Sequence, residues 1–256
     1  MHQTLKFFEK VVTRLLNDES LKAVSDYVPS EELYEQIDLS LPQKGITEEE
    51  FEAALTDLVL KTPRTATTGF FNQLFGGRNE KAILGDLLAV MLNNSMYTYK
   101  AAGPQIGVEK VILREVCNII GWDEKSDGTF APGGSMTNFM SMLMARDAAQ
   151  PKVRHEGAVS KMTVYTSEDS HYSIPKNAAF SGIGRDNVRY VPTSDHGIMK
   201  VDQLKRMVDE DVKNGFIPTM VNLTAGTTVM GAFDPVVETR EICDLHNMWL
   251  HIDGAY

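Results

Sequence analysis

The first third of the chain has the apolar pattern of helices. Apolar side chains recur at helical spacing from Leu5 to Leu16, and a short helix capped by Ser30 is predicted to run through Tyr34. Thr47 followed by Glu50 matches a capping box, and the apolar stripe from Phe51 to Val59 continues the helix that it begins. The pattern predicts a helical N-terminal segment.

The pattern of apolar and polar residues changes after Lys61. Pro and Gly between Lys61 and Asn79 predict a loop, and two helical patterns fill Ala82 to Ile120. Beyond Gly121, apolar runs alternate with helical patterns. Strands are predicted at Met162–Thr166, Val188–Val191, Thr219–Leu223 and Met248–Ile252, and helices after Gly134, from Tyr172 to Phe180, from Asp202 to Lys213 and from Pro235 to Leu245. This alternation is typical of an α/β fold with a mainly parallel sheet.

Composition and charge exclude several kinds of partner. The 256 residues are 43% apolar, and 25 basic against 35 acidic residues give a net charge of -10. An acidic chain without basic clusters disfavours nucleic acid and anionic membranes. The longest apolar stretch, Ala82 to Leu92, is too short to span a bilayer. The N-terminus lacks the apolar core of a secretory signal, and two cysteines cannot form a disulfide framework, so a cytoplasmic protein is expected.

Candidate chemistry follows the predicted strands. His171 comes shortly after the first strand, Thr224 to Thr228 form a turn after the third, and Asp253 ends the fourth. The carboxyl ends of parallel strands meet at one edge of a sheet, where ligands bind in such folds. Each residue alone has a plainer interpretation: a histidine near a helix start, an ordinary turn, a carboxylate in a salt bridge. Their joint placement is the signal.

A glycine pair precedes the helix after Gly134. Free N–H groups at a helix start favour an anion such as phosphate, although Gly133-Gly134-Ser135 could also be an ordinary turn with a serine cap. His251 and Asp253 share one face of a strand, but no Cys cluster or His pair supports a metal site. A phosphate cradle, a flat ring, a hydroxyl and a carboxylate together describe a pocket for pyridoxal 5'-phosphate.

Several longer motifs carry a resemblance to a known family. They are Phe71-Asn72-Gln73-Leu74-Phe75, Met96-Tyr97-Thr98-Tyr99, Pro132-Gly133-Gly134-Ser135, Ser170-His171-Tyr172-Ser173, the run Thr224–Pro235, and Trp249-Leu250-His251-Ile252-Asp253-Gly254-Ala255. In this order they resemble the group II pyridoxal-phosphate-dependent amino acid decarboxylases, above all the glutamate and cysteine sulfinate decarboxylases. The resemblance implies that residues 91–256 are an incomplete large domain of the pyridoxal-phosphate-dependent transferase-like fold. It also implies that the helical segment 1–90 forms a homodimer.

The resemblance also implies roles for single residues. His171 would stack on the cofactor ring and Asp253 would pair with its protonated nitrogen, so these two are the expected catalytic residues. The other cofactor-binding residues would be Gly134 and Ser135 at the phosphate, Thr228 beside the cofactor, and Ala255 on the second ring face. The implied reaction is α-decarboxylation of an acidic L-amino acid to the amine and CO2.

The resemblance also implies that Gln73, Phe75 and Ser95 line the substrate-binding part of the site. Glutamate-type members usually carry Ser and Asn where this chain has Phe75 and Ser95, and Phe where it has Tyr97. A bulky Phe75 would shorten the pocket by about one methylene. We therefore expect cysteine sulfinate or aspartate to react faster than glutamate. Lys100 and Gly254 also depart from the usual Glu and Ala of the family.

One family feature is missing from these residues. The lysine that would bind the cofactor covalently is expected beyond Asp253, yet no lysine follows Lys213. We therefore expect the 256 residues alone to be inactive and poorly stable, as the N-terminal part of an enzyme. Two alternatives stay open: a decarboxylase for another amino acid, and a non-catalytic cofactor-binding or dimerisation partner.

Overall fold

The computed structural model describes residues 2–25, 27–157 and 161–256. The chain packs as two units, Met1–Val108 and Glu109–Tyr256. The first unit is helical, as predicted. Its helices are α1 (His2–Leu21), α2 (Ser30–Gln36), α3 (Glu48–Lys61), α4 (Glu80–Leu92) and α5 (Tyr99–Ala102), and α6 (Pro104–Ile120) contains the boundary between the units. The domain boundary near residue 90 stays a prediction, and so does the role of segment 1–90 in a dimer.

The helix starts of the first unit show which local signals were reliable. The capping box of α3 is confirmed: Thr47 Oγ1 accepts from Glu50 N at 3.2 Å, and Glu50 Oε2 accepts from Thr47 N at 2.8 Å. The cap proposed for α2 was wrong, because Pro29 takes the cap position and Ser30 is the first helical residue. Two helical patterns were predicted before Ile120, and the structure adds the four-residue α5 between them.

The second unit is an α/β sheet. Its remaining elements are α7 (Gly134–Ala149), α8 (Val153–Glu156), β1 (Met162–Ser167), α9 (Ser173–Phe180), a 3-10 turn (Arg185–Asn187), β2 (Val188–Val191), α10 (Val201–Lys213), β3 (Ile217–Thr224), α11 (Val236–His246) and β4 (Trp249–Asp253). The four strands are all parallel, in the order β2-β1-β3-β4. The predicted parallel α/β sheet is confirmed, with each predicted strand within two residues of its observed bounds.

Helices cover both faces of this sheet. On one face α7 and α9 enclose a core of Met142, Val164, Ile174 and Met220. On the other face α10 and α11 form a second core with the sheet, which includes Leu204, Val221, Leu223 and Ile242. Because β1 and β3 are buried on both faces, their sequences are nearly continuous runs of buried residues rather than alternating ones.

Candidate functional site

The site lies at the carboxyl edge of the sheet. β1 and β3 are neighbours whose following segments leave toward opposite flanks, with β2 beyond β1 and β4 beyond β3. Such a switch point in strand order opens a crevice at the carboxyl ends of the strands. Thr224 is paired in register with Asp253, so the turn after β3 and the end of β4 are adjacent.

Asp253 is a buried acid at this edge, with 7% of its surface exposed. Its Oδ2 accepts from Asn138 Nδ2 at 2.8 Å, and its Oδ1 accepts from Ala255 N at 3.1 Å. These two donors hold the carboxylate plane at the end of β4. A carboxylate fixed in this way can accept a further hydrogen bond from a protonated ring nitrogen.

His171 lies just before α9 and is half-buried. Its Nδ1 accepts from Ser173 N at 3.2 Å and lies 2.8 Å from Ser173 Oγ. Because a backbone N–H only donates, Nδ1 is the unprotonated nitrogen and the proton of the neutral ring is on Nε2. The ring is thereby fixed in orientation, as a stacking platform requires.

The start of α7 approaches the end of β4 closely. Gly133 has a φ of 99°, a conformation that favours glycine, and α7 begins at the next residue. A Cβ on Gly134 would lie 2.7 Å from the Ala255 Cβ, so only glycine allows this approach. Ser135 is exposed, and its carbonyl accepts from Asn177 Nδ2 at 3.0 Å. The first N–H groups of α7 have no partner within a helix and suit a phosphate.

The turn after β3 is held by Asp234. Its Oδ2 accepts from Thr224 N at 2.8 Å and its Oδ1 from Met199 N at 2.9 Å, while burial raises the pKa of the carboxyl group. Ala225 N donates to the Asp253 carbonyl at 2.8 Å, which joins the turn to β4. Within the turn, Thr227 Oγ1 accepts from Ala232 N at 3.0 Å. Thr228, the predicted cofactor residue, is half-buried beside it.

His251 belongs to the support of the site. Its Nε2 lies 2.8 Å from Asn138 Oδ1, and burial lowers its pKa despite the nearby Asp253, which favours the neutral ring. In the part of the chain that the structure describes, no three His, Cys, Asp or Glu side chains form a metal-binding group. Sequence reasoning missed Asn138, Ser173 and Asp234. Asn138 lies four residues after Gly134, hence on the same helix face, and that spacing was the available signal.

The predicted substrate-side residues Gln73, Phe75 and Ser95 lie in the first unit and are exposed there. The Phe75 ring stands edge-on to Phe70, with 5.2 Å between centroids. Ser95 Oγ accepts from Tyr97 N at 3.3 Å. Their role at a substrate stays a prediction.

The residues of the second unit fit pyridoxal phosphate. The open start of α7 has the N–H groups that an anionic phosphate would need, and the Asp253 carboxylate could accept from a protonated ring nitrogen. His171 and Ala255 would be the two residues on either side of a flat ring. Thr224 Oγ1, although buried, has no hydrogen-bond partner among the described residues. This donor set matches the chemistry of the cofactor.

Comparison with known proteins defines the class. Residues 29–256 match the model of the pyridoxal-dependent decarboxylase conserved domain, and the chain belongs to this family. The family description names the pyridoxal cofactor, which confirms the predicted cofactor and the predicted family. Within residues 2–25, 27–157 and 161–256, no helix is long and apolar enough to cross a bilayer.

The chain is similar to several individual members of this family. Over 259 residues the chain is 34% identical to acidic amino acid decarboxylase GADL1 of Xenopus tropicalis, matching 98% of this chain and 50% of the relative. Human cysteine sulfinic acid decarboxylase is 35% identical over 91% of this chain and 48% of its own. The structure of mouse CSAD superposes with a TM-score of 0.92 at 32% identity, over 98% of this chain and 55% of that chain. The predicted fold class is confirmed, and this chain spans about half the length of these relatives.

Proposed function

We propose that this chain forms the cofactor-binding part of an enzyme that removes the α-carboxyl group of an acidic L-amino acid. The observation that carries the proposal is the Asp253 carboxylate, anchored at the end of β4 beside the glycine start of α7. When bound, pyridoxal phosphate supplies a protonated ring that accepts the electron pair left behind by departing CO2. Membership of the decarboxylase family and the named relatives support the reaction type.

Each site residue has a task in this proposal. The Asp253 carboxylate keeps a proton on the ring nitrogen by accepting its hydrogen bond, which preserves the ring as an electron acceptor. Gly134 and Ser135 direct backbone N–H groups at the phosphate. His171 and Ala255 would pack against the two faces of the ring and keep water from them.

The test uses the complete protein that contains this chain. Asp253→Ala should weaken pyridoxal phosphate binding and lower kcat for CO2 release by about 100-fold or more, because the charge that stabilises the protonated ring is lost. Asp244→Ala is the matched control: it removes an acid from a surface pair with Arg240, which contributes little to stability. Cofactor absorbance and CO2 release are measured.

Three outcomes decide between the candidates. Cofactor binding with CO2 release that depends on Asp253 supports the proposal. Binding without CO2 release from any amino acid favours the non-catalytic alternative. Absence of cofactor binding in the wild-type protein contradicts both.

We further propose that the preferred substrate is cysteine sulfinate or aspartate rather than glutamate. Phe75 and Ser95 support this, since both follow the cysteine sulfinate branch where glutamate-type members differ. The named relatives include decarboxylases of acidic amino acids and of cysteine sulfinic acid.

Phe75→Ser should raise kcat/KM for glutamate relative to cysteine sulfinate by about tenfold, the usual discrimination for one methylene. Phe71→Ser is the control, because Phe71 belongs to the same loop and its side chain is fully exposed at 102%. It should leave the ratio unchanged. A wild-type enzyme that prefers glutamate would contradict the substrate proposal.

We also propose that the complete protein is a homodimer. The resemblance implies it, and α4 supports it: this helix is apolar over most of its length, yet none of its residues is buried. Leu84 and Leu88 are each 60% exposed. Soluble proteins seldom leave such a contiguous apolar surface uncovered.

A further inference from the structure

Asn138 connects the two predicted catalytic residues. It is 1% exposed and lies in the second turn of α7. Its Nδ2 donates to Asp253 Oδ2 at 2.8 Å and to Ser173 Oγ at 3.0 Å, and its Oδ1 lies 2.8 Å from His251 Nε2. All of its amide donors and acceptors therefore have partners within the site.

The direction of each hydrogen bond follows from Asp253. A carboxylate only accepts, so the Asn138 amide must turn its Nδ2 toward Asp253 and its Oδ1 toward His251. His251 must then carry its proton on Nε2. The second Nδ2 hydrogen is received by Ser173 Oγ, which leaves the Ser173 hydroxyl hydrogen free to bond His171 Nδ1 at 2.8 Å.

We propose that Asn138 is a positioning residue that aligns Asp253 with the ring nitrogen of the cofactor and, through Ser173, fixes the His171 ring. The inference rests on the proposed function and deepens it. Asn138 touches neither substrate nor cofactor in this arrangement; it acts through Asp253 and His171. The hydrogen bond that it donates also fixes the orientation of the Asp253 carboxylate.

The test compares two ligands on the complete apo-protein. One is pyridoxal phosphate, and the other is its 1-deaza analogue, in which a C–H group replaces the ring nitrogen. Both carry the same aldehyde and phosphate, so the ratio of their dissociation constants isolates the contact between Asp253 and the ring nitrogen. The wild type should favour pyridoxal phosphate by about tenfold or more, as for one hydrogen bond to a charged group.

Asn138→Ala should bring this ratio close to one. Ser141→Ala is the matched control. Ser141 lies one turn further along α7, is 5% exposed and accepts from Trp249 Nε1 at 3.1 Å, so it makes a buried α7–β4 hydrogen bond that does not involve Asp253. A purely structural role of Asn138 would weaken both ligands alike and leave the ratio unchanged, and that result overturns the inference.

A second variant covers the case in which Asn138→Ala does not fold. Asn138→Leu keeps the branched shape of the side chain but has no donor, so Asp253 loses the hydrogen bond that anchors it. It should lose the preference for the ring nitrogen as well; retention of the wild-type ratio overturns the inference. Failure of the wild type to bind either ligand is a different result, because it overturns the proposed function on which the inference depends.

Discussion

Single residues set the geometry of this site. Gly134 allows the start of α7 to reach Ala255, and Asn138, one turn later, holds Asp253. The glycine was predicted because the motif around it is recognisable in sequence. Asn138 was not, because its role depends on partners 35 and 115 residues away in the chain. The four-residue spacing from Gly134 places Asn138 on the same helix face, but it does not show which distant residues Asn138 binds.

Gly134→Ala is expected to damage both stability and cofactor binding. A Cβ 2.7 Å from the Ala255 Cβ forces α7 and β4 apart, at a cost of about 1–3 kcal/mol in the free energy of unfolding. Gly107→Ala in α6 is the control, since its Cβ would meet nothing within 4 Å and alanine favours helix by about 1 kcal/mol. Urea unfolding of the complete protein measures both. Equal stability of the two variants would show that the contact yields without cost.

At the scale of elements, local chemistry predicted some features and packing decided others. The α3 capping box was read correctly because Thr47 and Glu50 satisfy each other's backbone within one turn. The buried face of α1 was predicted incorrectly. Phe7 and Val11 are buried, whereas Leu5, Phe8 and Leu16 of the predicted apolar stripe are about half exposed. A helix with apolar residues on more than one side leaves its packed face to its neighbours.

At the sheet edge, too, the sequence predicted some features and only packing decided others. The strands were predictable because β1 and β3 are short segments rich in β-branched and aromatic residues that lie between predicted helices and turns. The support of the following turn by Asp234 was not, because its carboxylate reaches Thr224 N and Met199 N across a loop. Sequence indicates where a turn occurs; the partner that satisfies its backbone groups depends on the folded chain.

At the scale of the whole molecule, the homodimer proposal has a direct test. Leu88→Asp places a charge on the apolar surface of α4 and should weaken dimer formation by the complete protein at least about tenfold, because an unpaired charge would be buried in the interface. Lys205→Asp changes an exposed residue of α10 and should leave association unchanged. Analytical ultracentrifugation measures both variants. Unchanged association of Leu88→Asp would remove α4 from the proposed interface.

By itself the sequence determined the class of this protein: a parallel α/β fold, a pyridoxal cofactor, and a carboxylate and a histidine at the strand ends. These are short-range properties, set by residue period and by motifs of a few neighbouring residues. Only the tertiary structure decided the strand order and the place of Asn138 between His171 and Asp253. Those features depend on hydrogen bonds between residues far apart in the chain, and such partners become neighbours only when α7, α9 and β4 pack together.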